Sequence, residues 1–463
     1  MDATLSAVAY EPARPKWRWL LLLILMGSIS LSFRLYYVTH TVVFQNVNIP
    51  GAHGDAAQYY NYARNLVEHR VFSIEPASAL HPAEDSFRDP GYPAFLAAWM
   101  EIFPHWDNWY AAVLLSQAIL SAATVVIWLC IGRRWMSIRW LAAAGILMAV
   151  WPHSVAMSSN LLSETLYGFL VALAIYVFSI SIDKKPSVRW AVVSGLCFSL
   201  TALTNSVFSP FGALVTVYML VRRKMPAKTA FTLVATFICL TTPWMIRNSM
   251  QRTGQPSSTD RALMNLVEGS WPPYHTADMA SIISHDPQAM HVMGQITQEI
   301  STIEANHRTG LSAILQRMAR SPGYYALWYL QKPALFWGWN IRIGVGDIYF
   351  HITYHSPFDT NSIWRAIEAL CHACNRILML LALIACPLIL LQENKNQGMT
   401  STALLLLFVT AVHSILQAEP RYSIPYRGAE IILGIYASYW ISSSIAKLRT
   451  HVNSRRLKTI NGA

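Results

Sequence analysis

Residues 153–176 read HSVAMSSNLLSETLYGFLVALAIY. From Thr165 the run continues through Ile182 without a charged side chain. That is the length needed to cross a hydrocarbon core at about 1.5 Å per residue. Ahead of it stand Ser and Asn residues and one acid, Glu164, at the water–lipid boundary. A carboxylate there is costly in hydrocarbon and marks a candidate functional group. It also suits a helix N-terminus, where the dipole favours negative charge.

The same pattern recurs along the chain. Spans are expected at about 19–38, 109–131, 140–158, 163–182, 190–205, 207–221, 229–246, 376–392, 400–417 and 429–446. The first begins near Trp19, after basic residues, and has no small-residue cleavage site behind it, so it reads as a retained span. Arg34 near its far end is in position to snorkel to the interface. The two short runs near 190–221 read as a helical hairpin or as one kinked unit around Thr204-Asn205-Ser206.

Composition agrees. Of 463 residues, 54% are hydrophobic and only 13% charged, against about 25% charged in a soluble domain. The mean hydropathy is +0.32. Disorder and a single soluble domain are thereby excluded, leaving an all-α polytopic membrane protein. The net charge of +11 comes from basic residues gathered in short loops on the N-terminal side: Arg14, Lys16, Arg18, Arg133, Arg134, Arg139, Lys184, Lys185, Arg189, Arg222, Arg223, Lys224, Lys228, Lys395, Lys447, Arg449, Arg455, Arg456 and Lys458. By the positive-inside rule that side is cytoplasmic, and nucleic acid is not implied. The organisation expected is a cytoplasmic tail (1–18), a membrane module (19–246) containing a first outer loop (40–108), a large outer segment (247–375), C-terminal spans (376–446) and a basic cytoplasmic tail (447–463). No nucleotide-binding glycine loop or internal repeat is present. Function is expected on the extracytoplasmic face of the membrane.

The first outer loop contains GAHGDAAQYYNYARNLVEHRVFS (51–73). Apolar or aromatic residues at Tyr59, Tyr62, Ala63, Leu66 and Val67 give an amphipathic, interfacial helix that begins at Asp55. Asp55 reads either as its N-cap or as a general base at the membrane surface. SFRDPGYPAFLAAW (86–99) follows. Pro90, Gly91 and Pro93 make a rigid turn. Arg88 ahead of it is an interfacial anchor or a phosphate clamp. Later come TTPWMIRNSMQRTGQ (241–255), SPGYYALWYLQKPALFWGWNIRIG (321–344), read as an interfacial helix and loop, and AEPRYSIPYRGAE (418–430). They set Arg247, Lys332 and Arg421 on the outer boundary, against the usual bias. Cys371 and Cys374 have C-x-x-C spacing but no further ligands for zinc, and read as an ordinary or disulfide-bonded pair.

Five motifs in order carry a family likeness. They are an acid before a Tyr-rich helix (Asp55), R-D-P-G-Y-P (88–93), S-E-T (163–165), P-W-x-I-R-N (243–248) and R-Y-x-x-P (421–425). The chain resembles the GT-C glycosyltransferases, and within them the bacterial branch related to protein O-mannosyltransferases, aminoarabinose transferase and the lipopolysaccharide-core galacturonosyltransferases. The resemblance implies a GT-C-like bundle of about ten spans with interfacial helices in the first and fourth outer loops. It implies transfer of a sugar from a polyprenyl-phosphate carrier to a lipid, glycan or protein acceptor, with inversion at the anomeric carbon. Asp55 matches the acid taken as catalytic base and Glu164 the second acid. Arg88 matches the residue that contacts the carrier phosphate, and Arg247 and Arg421 match basic positions near the carrier pocket. Lys332 is a further candidate phosphate ligand, and Tyr59, Tyr60 and Tyr92 are candidates for substrate binding. The chain lacks the large lumenal domain of the mannosyltransferases. No organic cofactor is implied; two acids can act alone or around a divalent ion. Other classes remain open: a flippase or transporter of lipid-linked sugars, a polysaccharide polymerase or ligase, and a structural subunit.

Overall fold

The computed structural model describes residues 16–45, 47, 54–76, 78–183, 186–251, 254–342, 347–392 and 397–461, with side chains to 450 except Asp183. Arg14, Lys184, Lys185 and Lys395 lie outside them, as do the side chains of Arg455, Arg456 and Lys458.

The chain is an all-α bundle of membrane-length helices. Among the described residues, seven helices are long and apolar enough to cross a membrane: Lys16–His40, Trp106–Gly132, Glu164–Ile182, Ala227–Ser249, Ser362–Leu390, Gln397–Ile415 and Pro420–Thr450. An eighth is the pair Ile138–Val150 and Pro152–Ser159, bent by 51°. Pro152 begins the second half, where its ring fits a helix start but cannot continue the first. Two shorter apolar helices, Val188–Thr204 and Ser206–Val221, occupy the expected 190–221 region. The break falls at Asn205, whose Oδ1 accepts from the Val207 amide at 3.1 Å and caps a new turn.

Two expectations change. The span placed at 376–392 begins at Ser362, capped by the Asn361 side chain. Cys371 and Cys374 therefore sit within a continuous helix, both as free thiols. Arg34 does not snorkel outward. It is 1% exposed, and its guanidinium donates to Ser121 Oγ (2.6 Å), Ser30 Oγ (2.7 Å) and the Ala149 carbonyl (2.8 Å). The helix around it faces neighbouring helices, so polar groups of the bundle replace interfacial water.

The first outer loop forms helices Asp55–Glu68 and Gly91–Ile102. Ala56, Tyr59 and Ala63 of the one pack with Tyr92, Leu96 and Met100 of the other, and with Trp109 and Leu161 of the bundle. Residues 258–336 form a second outer group of helices. Val267, Ile296, Ile303 and Ile314 make a small core of their own there. A capping box starts its first helix: Ser257 N donates to Asp260 Oδ2 at 2.8 Å, and Asp260 N donates to Ser257 Oγ at 3.2 Å. Two-residue strands, Val42–Val43 and Thr353–Tyr354, tie the two outer segments together in an antiparallel pair.

Gly91 sets how closely the first loop approaches the bundle. A Cβ there would lie 2.8 Å from Thr204 Cα and 3.0 Å from the Leu203 carbonyl, both backbone atoms that cannot swing aside. Gly91→Ala is expected to cost about 1–3 kcal/mol and to lower the thermal midpoint of detergent-solubilised protein, whereas Gly294→Ala, with open space at its Cβ, should leave it nearly unchanged.

Candidate active site

A cavity of about 430 Å3 opens between the two outer segments and the outer ends of the bundle. Asp55, Tyr59, Arg88, Glu164 and Arg421 all line it. Asp55 is the first residue of its helix, and the cap position belongs to Gly54, which has no capping side chain. With φ of 123°, Gly54 adopts a backbone that favours glycine. The expected N-cap role for Asp55 is thus unfilled, and its carboxylate is directed to two arginines.

Arg88 pairs through Nη2 with Asp55 Oδ1. Its Nε donates to Gln58 Oε1 at 2.7 Å, one turn further along the same helix. Arg421 pairs through Nη2 with Asp55 Oδ2, and its Nε lies 2.9 Å from Glu164 Oε1. The Phe350 ring lies 4.1 Å beneath its guanidinium carbon, a cation–π contact. Tyr59 donates to Ser163 Oγ at 3.2 Å, beside Glu164. Two carboxylates from separate loops are therefore joined by one guanidinium.

The charges reinforce one another. Burial opposes ionisation of Asp55, but Arg88 and Arg421 outweigh it and hold the carboxyl well below the usual carboxylate range. Burial likewise works against the Arg88 charge, and Asp55 more than compensates, so its pKa is raised. Asp55 is an anion at every working pH, and a weak base for that reason.

Further carboxylates line the same cavity. Glu268, Asp278 and Glu419 line it with Tyr274, Arg342 and Tyr422. Burial pushes Glu268 up to about 8, despite a hydrogen bond from Tyr274, and Glu419 up to about 7, despite Arg421. Asp278 is also raised by burial. The lining also holds a bonded polar group. Arg261 donates to Asp89 at 2.7 Å and to Ser206 Oγ at 3.2 Å, and Asp89 also accepts from the Ser206 amide at 3.1 Å. Among the described residues no group of three or more His, Cys, Asp or Glu side chains gathers as a metal ion would need.

Four expected site residues lie outside the cavity lining. Tyr60 packs on Trp106 and Trp109. Tyr92 is fully buried and donates to Gln117 Oε1 at 2.9 Å. Arg247 braces the first loop by donating to the Asp85 and Phe72 carbonyls. Lys332 gives its ammonium to the carbonyls of Gly269 (2.8 Å), Leu416 (2.5 Å) and Ile415 (3.4 Å), and burial lowers it to about 7. Conversely, Asp89, Arg261, Glu268, Asp278, Arg342 and Glu419 line the cavity without having been singled out. Asp89 and Glu419 stood inside quoted motifs, where the neighbouring arginines drew the reading. Glu268 and Asp278 belong to no motif.

No protein-family model matches the chain, and no curated protein does. Solved structures match by shape. The archaeal oligosaccharyltransferase AglB from Archaeoglobus fulgidus, in complex with an inhibitory peptide and a dolichol-phosphate, aligns with a TM-score of 0.52 at 15% identity, covering 97% of this chain and 52% of that one. The oligosaccharyltransferase of that organism tethered to an acceptor peptide gives 0.52 at 12% identity, covering 94% and 50%. ArnT from Cupriavidus metallidurans bound to undecaprenyl phosphate gives 0.39 at 14%, covering 93% and 79%. The chain thus spans about half the length of the archaeal chains and shares their membrane fold.

Glu268 gives the site a measurable pH signature. Its raised pKa means that the folded protein binds this proton more tightly than the unfolded chain. Its contribution to stability is present below the unfolded value of about 4.3 and is lost as pH rises through about 8. Glu268→Gln is expected to remove that alkaline loss. Thermal unfolding in detergent across this range checks it, and parallel curves for the two proteins would refute the assignment.

Proposed function

We propose that the protein is a membrane glycosyltransferase that moves a sugar from a polyprenyl-phosphate carrier to a cell-envelope acceptor on the extracytoplasmic face. The observation that carries the reading is the joining of Asp55 and Glu164, from separate outer loops, by Arg421 in a cavity that Arg88 also lines. The shared fold adds to it: the archaeal enzyme of that fold was solved with a dolichol-phosphate, a carrier of the class proposed here.

The donor's phosphate would be met by Arg88 and Arg421, with Arg261 at the cavity's polar margin. As the bond from C1 to the phosphate oxygen breaks, negative charge grows on the phosphate. Arginines already fixed by Asp55, Gln58 and Glu164 need no reorganisation to receive it. Asp55 is the fixed anion that positions the acceptor. Its carboxylate accepts a hydrogen bond from the acceptor hydroxyl and turns the oxygen lone pair toward C1, opposite the leaving phosphate, which gives inversion. The sugar phosphate bond supplies the driving force, so no nucleotide is needed at the outer face. The acceptor is a lipid, glycan or protein of the envelope, and the carrier tail lies among the apolar helix faces beside the cavity.

Comparing surface glycolipids and glycoproteins by mass spectrometry, with and without the protein, should reveal one lost sugar and its acceptor. Asp55→Asn is expected to lower kcat by about 10²–10³-fold, the scale of removing one preorganised charge contact, while Arg88→Ala raises KM for the lipid-linked donor. An Asp55→Asn protein that folds and transfers at the full rate would remove this site from the chemistry.

A further inference from the structure

Transfer to a hydroxyl releases a proton, and the cavity holds several carboxylates that differ in what already binds them. Asp55 carries two guanidinium groups. Glu164 carries one. Glu419 lines the same cavity, and among the described residues no hydrogen bond or ion pair holds its carboxylate. It stands in extended backbone (φ −127°, ψ 138°) as the residue before Pro420. From Pro420 the chain turns through the rigid segment Pro420–Tyr426 that carries Arg421. The same short loop therefore supplies the guanidinium that joins the two acids and a carboxylate beside it. Its charged neighbours are Arg421, Arg342, Asp55 and Glu164, with Glu268 and Tyr422 also facing it.

We infer that Glu419 is the residue that takes the proton of the acceptor hydroxyl during transfer, with Asp55 serving as the fixed anion that orients the hydroxyl and anchors the arginines. The inference rests on reading the cavity as a sugar-transfer site. The bonds balance. The hydroxyl oxygen's lone pair forms the new bond to C1. The pair from the C1–phosphate bond leaves on polyprenyl phosphate. The O–H proton goes to the Glu419 carboxylate, which returns it to solvent. A base works best when its pKa lies near the operating pH. Glu419, raised by burial to about 7, meets that condition, and Asp55, driven far down by its arginines, does not.

The test has two arms. In the first, membranes containing the full chain receive undecaprenyl-phosphate-linked radiolabelled glucose, mannose or galacturonic acid. Transfer by the unaltered protein should rise with pH through about 7, as Glu419 loses its proton. Glu419→Gln should lower kcat by about 10²–10⁴-fold, leave the donor KM within about threefold, and abolish the rising limb; Glu419→Asp should restore part of both. Glu268→Gln should keep the limb. A normal profile in Glu419→Gln, or loss of the limb in Glu268→Gln instead, overturns the inference and leaves the sugar-transfer reading standing. The second arm needs no substrate. Dicyclohexylcarbodiimide modifies protonated carboxyls and spares ionised ones, and peptide mapping after treatment near pH 7 should find Glu419 modified and Asp55 intact. The reverse pattern overturns the inference even if none of the three donors is used, a result that would count against the sugar-transfer reading alone.

Discussion

A single guanidinium, that of Arg421, holds together the face of the protein that carries the two long loop segments. It is 6% exposed and meets Asp55 from the first loop and Glu164 from the start of a membrane helix. Charges so far from water are stable only when each has its partner. The last outer loop, the first outer loop and the fourth predicted span are thus obliged to converge. Without Arg421, Asp55 would retain Arg88 alone, and Glu164 would lose its ion-pair partner, with Arg88 the remaining cation that acts on it. The architecture of the site and its chemistry are therefore the same set of ion pairs.

The remaining cations do comparable work one layer out. Lys332 is buried with no carboxylate partner among its recorded bonds. Its acceptors are carbonyls at the C-terminal ends of helices Ser258–Gly269 and Gln397–Ile415, where the backbone dipoles offer negative charge. It pins the second outer group of helices to the bundle directly behind Glu268 and Gln417, which line the cavity. Arg247 does the same for the first loop. Arg427 locks the start of the last helix through Glu430 Oε2 at 2.7 Å, Asn375 Oδ1 at 3.0 Å and the Gly338 carbonyl at 2.6 Å. Outer loops that would otherwise slide over a membrane surface are fixed to helix ends by buried, directional bonds.

How much of this could be read from the residues depended on the kind of information needed. Apolar runs gave the helices, because hydrocarbon thickness imposes a length and permits few charges. Boundary position gave Asp55, Arg88, Glu164 and Arg421, because a charge at that depth has few harmless uses. Depth does not give direction, however. Arg247 and Lys332 stand at the same boundary as Arg421, yet Lys332 is held by backbone carbonyls and Arg247 by two carbonyls together with Glu84 and Asn248, partners that no sequence pattern reveals. Arg34 looked like an interfacial anchor because its serine and carbonyl partners come from other helices. Glu268 and Asp278 acquire meaning only when the folding of residues 258–283 brings them into the cavity that Asp55 lines.

The recorded bonds also bear on how a phosphate would enter a site whose arginines are already engaged. A guanidinium offers five N–H donors on three nitrogens. Arg88 uses Nε for Gln58 and Nη2 for Asp55. Arg421 uses Nη2 for Asp55 and sets Nε against Glu164. In both residues Nη1 has no hydrogen-bond partner among the described residues, so each retains donors for an incoming oxyanion without giving up its carboxylate. On the proposed reading, a phosphodiester monoanion arriving there need not displace Asp55, and the hydrogen bonds that orient the arginines persist while the phosphate charge grows. Had Asp55 bound either arginine through both terminal nitrogens, donor binding would have had to break the pair and expose a buried anion. The single-point pairing on each side closes the ion cluster and leaves donors that, on the proposed reading, a phosphate would meet.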